Sequence, residues 1–210
     1  MPASRARRSS DRERIEATVA AAEGRTAAEF VTAIARASGS YLYLPTLAAV
    51  AAVFALSGLA LLVPWPFRVT VSEFYIGQVA VFVLFYLIFR WPPVRHRLVP
   101  RAAQRRGARV HAHQLFLDLG LASTRDRTGV LFFVSVAEHY VEIIADRGVR
   151  ESVDDATWER TIADFAATVR EGRIADAFVA AIENCTEVLA VHLPPRPGDT
   201  NELPNRLIEL

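Results

Sequence analysis

The chain has 210 residues, with 24 arginines, no lysine and 23 acidic residues, and its net charge at pH 7 is +1. This sum conceals two halves of opposite sign, because residues 1–109 hold 15 arginines and 6 acids while residues 110–210 hold 9 arginines and 17 acids. The acidic second half argues against a nucleic-acid partner, and the single cysteine, Cys185, excludes an internal disulfide bond.

The first charged segment is predicted to form a basic arm, a helix and a strand. Residues 1–9 are rich in arginine and are predicted to be disordered. Ser10 followed by Glu13 has the spacing of a capping box, which predicts that a helix starts there. Gly24 is suited to end that helix. Residues 28–35 then alternate between two sets of side chains, a pattern typical of a strand.

Two apolar segments interrupt the charged sequence. Residues 41–63 contain no charged side chain and would cover about 34 Å as a helix, enough to cross a hydrocarbon core of about 30 Å. In the second segment only residues 74–89 are uncharged, so a span at 69–89 includes Glu73, which we place near the lipid head groups. The sequence therefore predicts a two-helix transmembrane hairpin within residues 37–97.

Arginines indicate the orientation of this hairpin. They cluster before the first apolar segment and after the second, whereas the connector between them has only Arg68 and Glu73 as charged residues. The positive-inside rule then predicts a multi-pass protein of the inner membrane with both termini cytoplasmic. A cleaved signal peptide is not expected, since about 40 residues precede the first apolar segment. The alternative, two core helices of a soluble domain, is disfavoured because the remaining chain is too short to cover both.

The second charged segment is predicted to contain helices around a pair of strands. In chain order the elements are a helix from Pro100 to Gly120, strands at residues 128–136 and 140–146, a helix from Asp154 or Asp155 to Gly172, and a helix from Ile174 to Pro194. A tight turn at residues 137–139 joins the two strands, which places Val136 opposite Tyr140. Residues 194–210 are rich in Pro, Gly and Asn and are predicted to be a flexible tail.

These elements predict an α/β fold, a small mixed sheet with helices on both faces. The first and second strands are joined through a helix, which favours a parallel, right-handed crossover. Residues 10–36 and 98–193 would form one soluble domain, interrupted by the membrane hairpin at 37–97. The domain is therefore expected to lie close to the bilayer.

Clustered carboxylates suggest one candidate metal site. The predicted strand pairing puts Asp126 and Asp146 at the same end of the sheet, where carboxylate oxygens would suit Ca²⁺ or Mg²⁺. The alternative is that both aspartates pair with a neighbouring arginine, namely Arg125, Arg127, Arg147 or Arg150.

Other candidate residues have structural explanations. Glu138 and His139 at the opposite end of the strands could act as an acid/base pair, but a polar turn explains them equally well. His111 and His113 are two residues apart on a helix, so they face different directions and cannot share a metal. Cys185 lies on an apolar helix face and is predicted to be a core residue.

The second charged segment resembles a known family. Residues 124–150, TRDRTGVLFFVSVAEHYVEIIADRGVR, are similar to the TPM domain, as are Trp158, the Gly172-Arg173 pair and the run Ala180-Ala181-Ile182-Glu183. The similarity covers residues 110–193 well and residues 10–36 weakly, and the branch it points to is that of bacterial membrane proteins. It implies an α/β sandwich and, in some plant members, phosphatase activity and bound calcium. No catalytic motif of those members matches here residue by residue, and a hairpin inside the domain departs from the usual terminal anchor.

The function expected from the sequence is binding rather than catalysis. The sequence contains no phosphate loop, no Gly-x-Ser-x-Gly and no Cys-x-x-Cys motif. We therefore expect a membrane-anchored TPM-like module that binds, assembles or modulates another membrane component, with the bilayer and a membrane protein as partners. No cofactor is expected apart from the Ca²⁺ or Mg²⁺ considered above. The alternative is a metal-dependent phosphatase that acts on phosphomonoesters, which is based on family analogy alone.

Overall fold

The chain forms two compact units. The computed structural model describes residues 2–39, 43–62, 70–91, 99–196 and 201–210. One unit, here called the sheet unit, combines Met1–Ser38 with Arg105–Leu210. The other, called the apolar unit, is Gly39–Gln104.

The sheet unit contains four strands and most of the helices. Its strands are β1 (Glu29–Ala35), β2 (Gly129–Ser135), β3 (Tyr140–Ala145) and β4 (Ile208–Glu209). Its helices are α1 (Pro2–Glu23), α5 (Arg147–Arg150), α6 (Asp155–Arg170) and α7 (Ile174–His192). The apolar unit contains α2 (Tyr43–Leu62) and α3 (Val71–Arg90), and α4 (Arg101–Asp118) starts in that unit and continues into the sheet unit.

The strands form one mixed sheet in the order β3-β2-β1-β4. β1 runs parallel to β2, from Glu29 opposite Gly129 to Ala35 opposite Ser135. β3 is antiparallel to β2, and β4 is parallel to β1. The predicted mixed α/β sheet is therefore confirmed, including the parallel pairing of the first two strands.

Both faces of the sheet are covered by helices. On one face, Phe30 and Phe132 pack in a cluster with Phe165 of α6 and Phe178 of α7, and Ile15 of α1 belongs to the same cluster. On the other face, a second cluster joins side chains of β1 and β2 to α4; its members include Val31, Leu131, Phe133, Leu115 and Phe116. Because adjacent strand residues point to opposite faces, a strand covered on both sides is apolar throughout. All seven residues of β2 are buried.

The predicted register between β2 and β3 is wrong by one residue. Tyr140 lies opposite Ser135 rather than Val136, and Val130 lies opposite Ala145 rather than Asp146. The reason is the length of the turn, which takes four residues, 136–139, instead of three. His139 closes it with a φ of 48°, a left-handed conformation that the sequence does not signal.

The first helix begins earlier in the chain than the sequence predicts. α1 starts at Pro2 and so includes residues 2–9, for which the sequence predicted a disordered arm. Proline suits the first turn of a helix, and alanine and arginine are strong helix formers, so no residue before Ser10 stops the helix. The capping-box spacing at Ser10 therefore does not mark the start of the helix.

The C-terminal tail contributes to the sheet. Its residues 208–209 form β4 against β1, and Leu207 is buried in the first cluster. The backbone of β1 provides the partners, since Arg36 N donates to Leu210 O and Leu210 N donates to Ile34 O, each at 2.9 Å. An open strand edge readily accepts another strand. The sequence did not predict this strand; the flexibility of residues 194–210 stays a prediction, and residues 197–200 lie outside the described part of the chain.

In the apolar unit, α2 and α3 pack against each other, and the side chain of Gln78 donates to Ser57 Oγ at 2.7 Å. Within the described residues, α3 is the one helix long and apolar enough to cross a membrane, and the uniformly apolar part of α2, Thr46–Ala60, is shorter. Glu73 belongs to a capping box with Thr70, the residue before α3, so its carboxylate lies at the helix start. The predicted connector with Arg68 lies outside the described residues.

Candidate functional site

A cavity lies at the end of the sheet where the parallel strands finish, here called the carboxyl edge. Its volume is about 560 Å³, within the usual range for small-molecule sites. Its apolar wall comes from four separate elements; the residues are Ile15 of α1, Ile34 of β1, Ile174 and Ala175 of α7, and Leu207 and Leu210 of the C-terminal segment. Ligands of open α/β sheets bind at the carboxyl ends of strands, so the position suits a binding site.

Charged residues complete the cavity lining. Arg12 pairs with Glu16 at 2.8 Å, and the same Glu16 oxygen accepts from Leu207 N at 3.0 Å. The remaining charged residues are Asp11, Arg36 and Glu209. Within the described residues none of these three forms an ion pair, so the lining offers one unpaired cationic and two unpaired anionic side chains beside an apolar wall.

A hydrogen-bonded network lies at the same edge. Ser38 Oγ donates to Ser135 Oγ at 2.7 Å, and Ser135 Oγ donates in turn to Glu138 in a very short hydrogen bond. Both carboxylate oxygens of Glu138 also accept from Ser38 N at 3.1 Å. Ser135 and Glu138 are buried. Glu138 therefore fixes the backbone at Ser38, the last residue of the sheet unit before the chain enters the apolar unit.

The hydrogen bonds of the Glu138 carboxylate join it to Ser38 and Ser135, whereas an acid/base pair would require a contact with His139. Within the described part of the chain, no hydrogen bond or ion pair joins Glu138 to His139. The left-handed backbone of His139 closes the turn, while the Glu138 side chain turns back to the strand ends. The polar-turn interpretation therefore describes these two residues better than catalysis.

The two aspartates of the candidate metal site lie near the opposite end of the sheet. Asp146 N donates to Gly129 O at 2.9 Å, and Gly148 N donates to Arg127 O at 3.0 Å, which holds the two segments together there. Asp126 forms an ion pair with Arg196 at 2.7 Å. One oxygen of Asp146 accepts from Arg147 N at 2.7 Å as a helix cap, and its other oxygen, Oδ2, is buried and has no hydrogen-bond partner.

These side chains do not by themselves form the ligand set of a cation. Across residues 2–39, 43–62, 70–91, 99–196 and 201–210, no three His, Cys, Asp or Glu side chains converge. Arg196, which sequence reasoning did not consider as a partner, pairs with Asp126 Oδ2, and among the described residues Asp146 Oδ2 is buried without a hydrogen-bond partner. A Ca²⁺ site would need several further oxygen ligands.

A second carboxylate pair was not predicted from the sequence. Glu23 and Glu29 line a cleft of about 230 Å³ together with Asn201 and Asn205 of the C-terminal segment. Glu23 accepts from Phe30 N at 3.0 Å and from the Asn201 side chain at 3.2 Å. Burial, with a smaller contribution from the charge of Glu29, raises the pKa of Glu23 to about 7.

The histidine and cysteine interpretations agree with the structure. His111 stacks edge-on against Phe133, whereas His113 lies 3.9 Å from the Glu142 carboxylate. The two imidazoles thus have different surroundings. Cys185 is buried in the first cluster, and this burial raises the pKa of its thiol to about 12, which keeps it protonated and unreactive.

Comparison with known proteins confirms the resemblance found in the sequence. The model of the TPM domain matches residues 97–188. The fold is similar to the NMR structure of the BA42 protein from the psychrophilic bacterium Bizionia argentinensis, with a TM-score of 0.59 and 16% identity over 96% of this chain and 94% of that chain. At this identity the similarity shows the fold alone. No curated protein matches the chain.

Proposed function

We propose that this protein is a membrane-tethered binding module, in which the sheet unit binds or modulates another component of the same membrane. The observation that supports the tether is α3, which has no buried residue although its 20 residues are mostly apolar. A helix that is apolar on all sides is stable in lipid rather than in water. A tethered domain has a high effective concentration towards its neighbours, so weak contacts suffice for recognition.

The proposed tether is a two-helix hairpin with both chain termini in the cytoplasm. α2 packs against α3, and the Gln78–Ser57 hydrogen bond satisfies two polar side chains that would otherwise face lipid. Arginines before α2 and after α3 support the orientation. The hairpin, at about residues 37–97, would then interrupt a TPM-like domain made of residues 10–36 and 98–193, to which residues 201–210 add a strand.

Photo-crosslinking in native membranes tests this function. We would place a photoreactive residue singly at several exposed positions of the sheet unit, including Glu159 and Glu187. A discrete adduct with the same membrane component should form from neighbouring positions, and it should disappear when residues 39–97 are replaced by a flexible linker, because the tether is lost. Diffuse labelling from every position, or adducts that survive loss of residues 39–97, would contradict the proposal.

A metal-dependent phosphatase is the second candidate. The observation in its favour is the buried, unpartnered Oδ2 of Asp146 at the same end of the sheet as Asp126. Purified protein would be assayed with a generic phosphomonoester and Ca²⁺ or Mg²⁺. Turnover that is lost in both Asp126→Asn and Asp146→Asn, but kept in the exposed control Asp164→Asn, would establish the enzyme and replace the binding module.

A further inference from the structure

The carboxyl-edge cavity has the two parts that an amphipathic ligand requires. Ile34, Ile174 and Ala175 are half-buried and Leu210 is exposed, so they give the cavity an apolar wall from three different segments. Neither the strand pairing nor the helix packing fills this space. An apolar chain placed there would be removed from water, which is favourable in proportion to the area it covers.

The charged residues of the lining restrict the head group. Arg36 offers a cation without an ion-pair partner in the described part of the chain, while Asp11 and Glu209 offer two carboxylates. A purely anionic head group would be repelled by both carboxylates, and a purely cationic head group would leave Arg36 without an opposite charge. A head group with both charges matches all three residues, and guanidinium is well suited to phosphate.

We propose that this cavity binds one zwitterionic phospholipid of the phosphoethanolamine type. The phosphate would lie beside Arg36, the ammonium beside Asp11 and Glu209, and part of an acyl chain over Ile34, Ile174 and Leu210. The proposed membrane tether gives the source of such a lipid, but the cavity needs no partner protein. This proposal therefore stands or falls separately from the binding module.

The C-terminal segment forms part of the cavity wall, so the cavity is complete only when this segment is attached to β1. Leu207, Glu209 and Leu210 form one side of the cavity, and they are held by β4 and by the hydrogen bond from Leu207 N to Glu16. The ligand would thus contact residues from both ends of the chain. Lipid binding should therefore also stabilise the attachment of residues 207–210 to β1.

Native mass spectrometry of the full chain in maltoside micelles tests the proposal. Dioctanoyl phosphatidylethanolamine, phosphatidylcholine and phosphatidylglycerol would be added separately. We expect one phosphatidylethanolamine per chain, retained at least tenfold better than phosphatidylglycerol. Ala175→Phe, which fills the cavity, should abolish retention, while Ala180→Phe on the exposed side of the same helix should not change it.

Charge variants provide a second line of evidence that does not depend on filling the cavity. Arg36→Gln should weaken phosphatidylethanolamine retention at least tenfold, whereas Arg170→Gln, an exposed control on α6, should have no effect. Glu209→Gln should reduce the preference for phosphatidylethanolamine over phosphatidylglycerol. Equal retention in Ala175→Phe and Ala180→Phe would place the lipid on the apolar helices and overturn the proposal. A preference for phosphatidylglycerol would do the same.

Discussion

At the scale of single residues, the carboxyl group of Glu23 depends on neighbours that are distant in the sequence. Its partners are Phe30 N and the amide of Asn201, and the Glu29 carboxylate lies in the same cleft. In the sequence Glu23 is one acid at the end of a helix. No local pattern could show that the C-terminal segment covers it, because that contact requires the complete fold.

The raised pKa of Glu23 predicts a pH dependence of stability. Its pKa is about 7 in the folded protein and 4.5 in its ordinary state, so between these values the folded protein holds a proton that the unfolded chain has released. The free energy of unfolding should therefore fall as pH rises from about 4.5 to about 7 and then level off. Glu23→Gln should remove this slope, as measured by thermal unfolding of the micellar protein from pH 4.5 to pH 8.

The control for this prediction is Glu159→Gln, which removes the same charge from an exposed position of α6. It should leave the slope as in the unchanged protein. If Glu23→Gln and Glu159→Gln have the same pH profile, another group causes the pH dependence and the assignment to Glu23 is wrong.

At the scale of elements, the sequence predicted regular segments well and connections poorly. The apolar run of β2, the helix stripes around Phe165 and Phe178, and the glycines that end α4 and α6 were all recognisable from local patterns, and Gly120 and Gly172 do adopt positive φ values of 76° and 80°. The turn at residues 136–139 was misjudged because its length depends on one left-handed residue. β4 was missed because its two residues, Ile208 and Glu209, form a strand only beside the open edge of β1.

For the candidate sites too, contacts between segments that are distant in the sequence were not predicted. Asp126 lies just before β2 and Asp146 just after β3, so both are near one end of the sheet, and their sharing of a cation stays a prediction. The partner of Asp126 was not predicted, because Arg196 approaches from the segment after α7. The carboxyl-edge cavity could not be predicted either, as its wall combines α1, β1, α7 and the C-terminal segment.

The contact between α5 and the loop before β2 gives a prediction at this scale. A Cβ added to Gly148 would lie 2.6 Å from Asp126 O and 2.8 Å from Arg127 O, and both are backbone atoms that cannot rotate away. Gly148→Ala should therefore destabilise the protein by about 1–3 kcal/mol, the usual cost of overpacking. In Gly24→Ala the nearest atom would be 3.6 Å away, so this control should change stability little. Equal thermal midpoints for the two variants would contradict the close approach at Gly148.

At the scale of the whole molecule, the chain passes through an apolar unit between two parallel neighbours of one sheet. β1 ends at Ala35, and β2, its partner along all seven residues, does not begin until Gly129. The network of Ser38, Ser135 and Glu138 fixes the point where the chain leaves the sheet unit. The pairing of β1 with β2 therefore joins residues that are far apart in the sequence.

This arrangement predicts that the sheet unit folds without the apolar unit. Both core clusters consist of residues from 15–35 and 112–208, so replacing residues 39–97 with a flexible linker removes no member of either cluster. Loop-closure entropy grows slowly with length, and a linker shorter than the 59 residues it replaces should not hinder the pairing of β1 with β2. The linker variant should be water-soluble, with a helical circular dichroism spectrum and cooperative thermal unfolding.

The control adds Phe132→Asp to the linker variant, which puts a charge into the first cluster. This substitution should abolish the cooperative transition, which would show that the assay detects loss of the core. A linker variant that unfolds without cooperativity, or that dissolves only in detergent, would mean that the apolar unit is needed to complete the fold of the sheet unit.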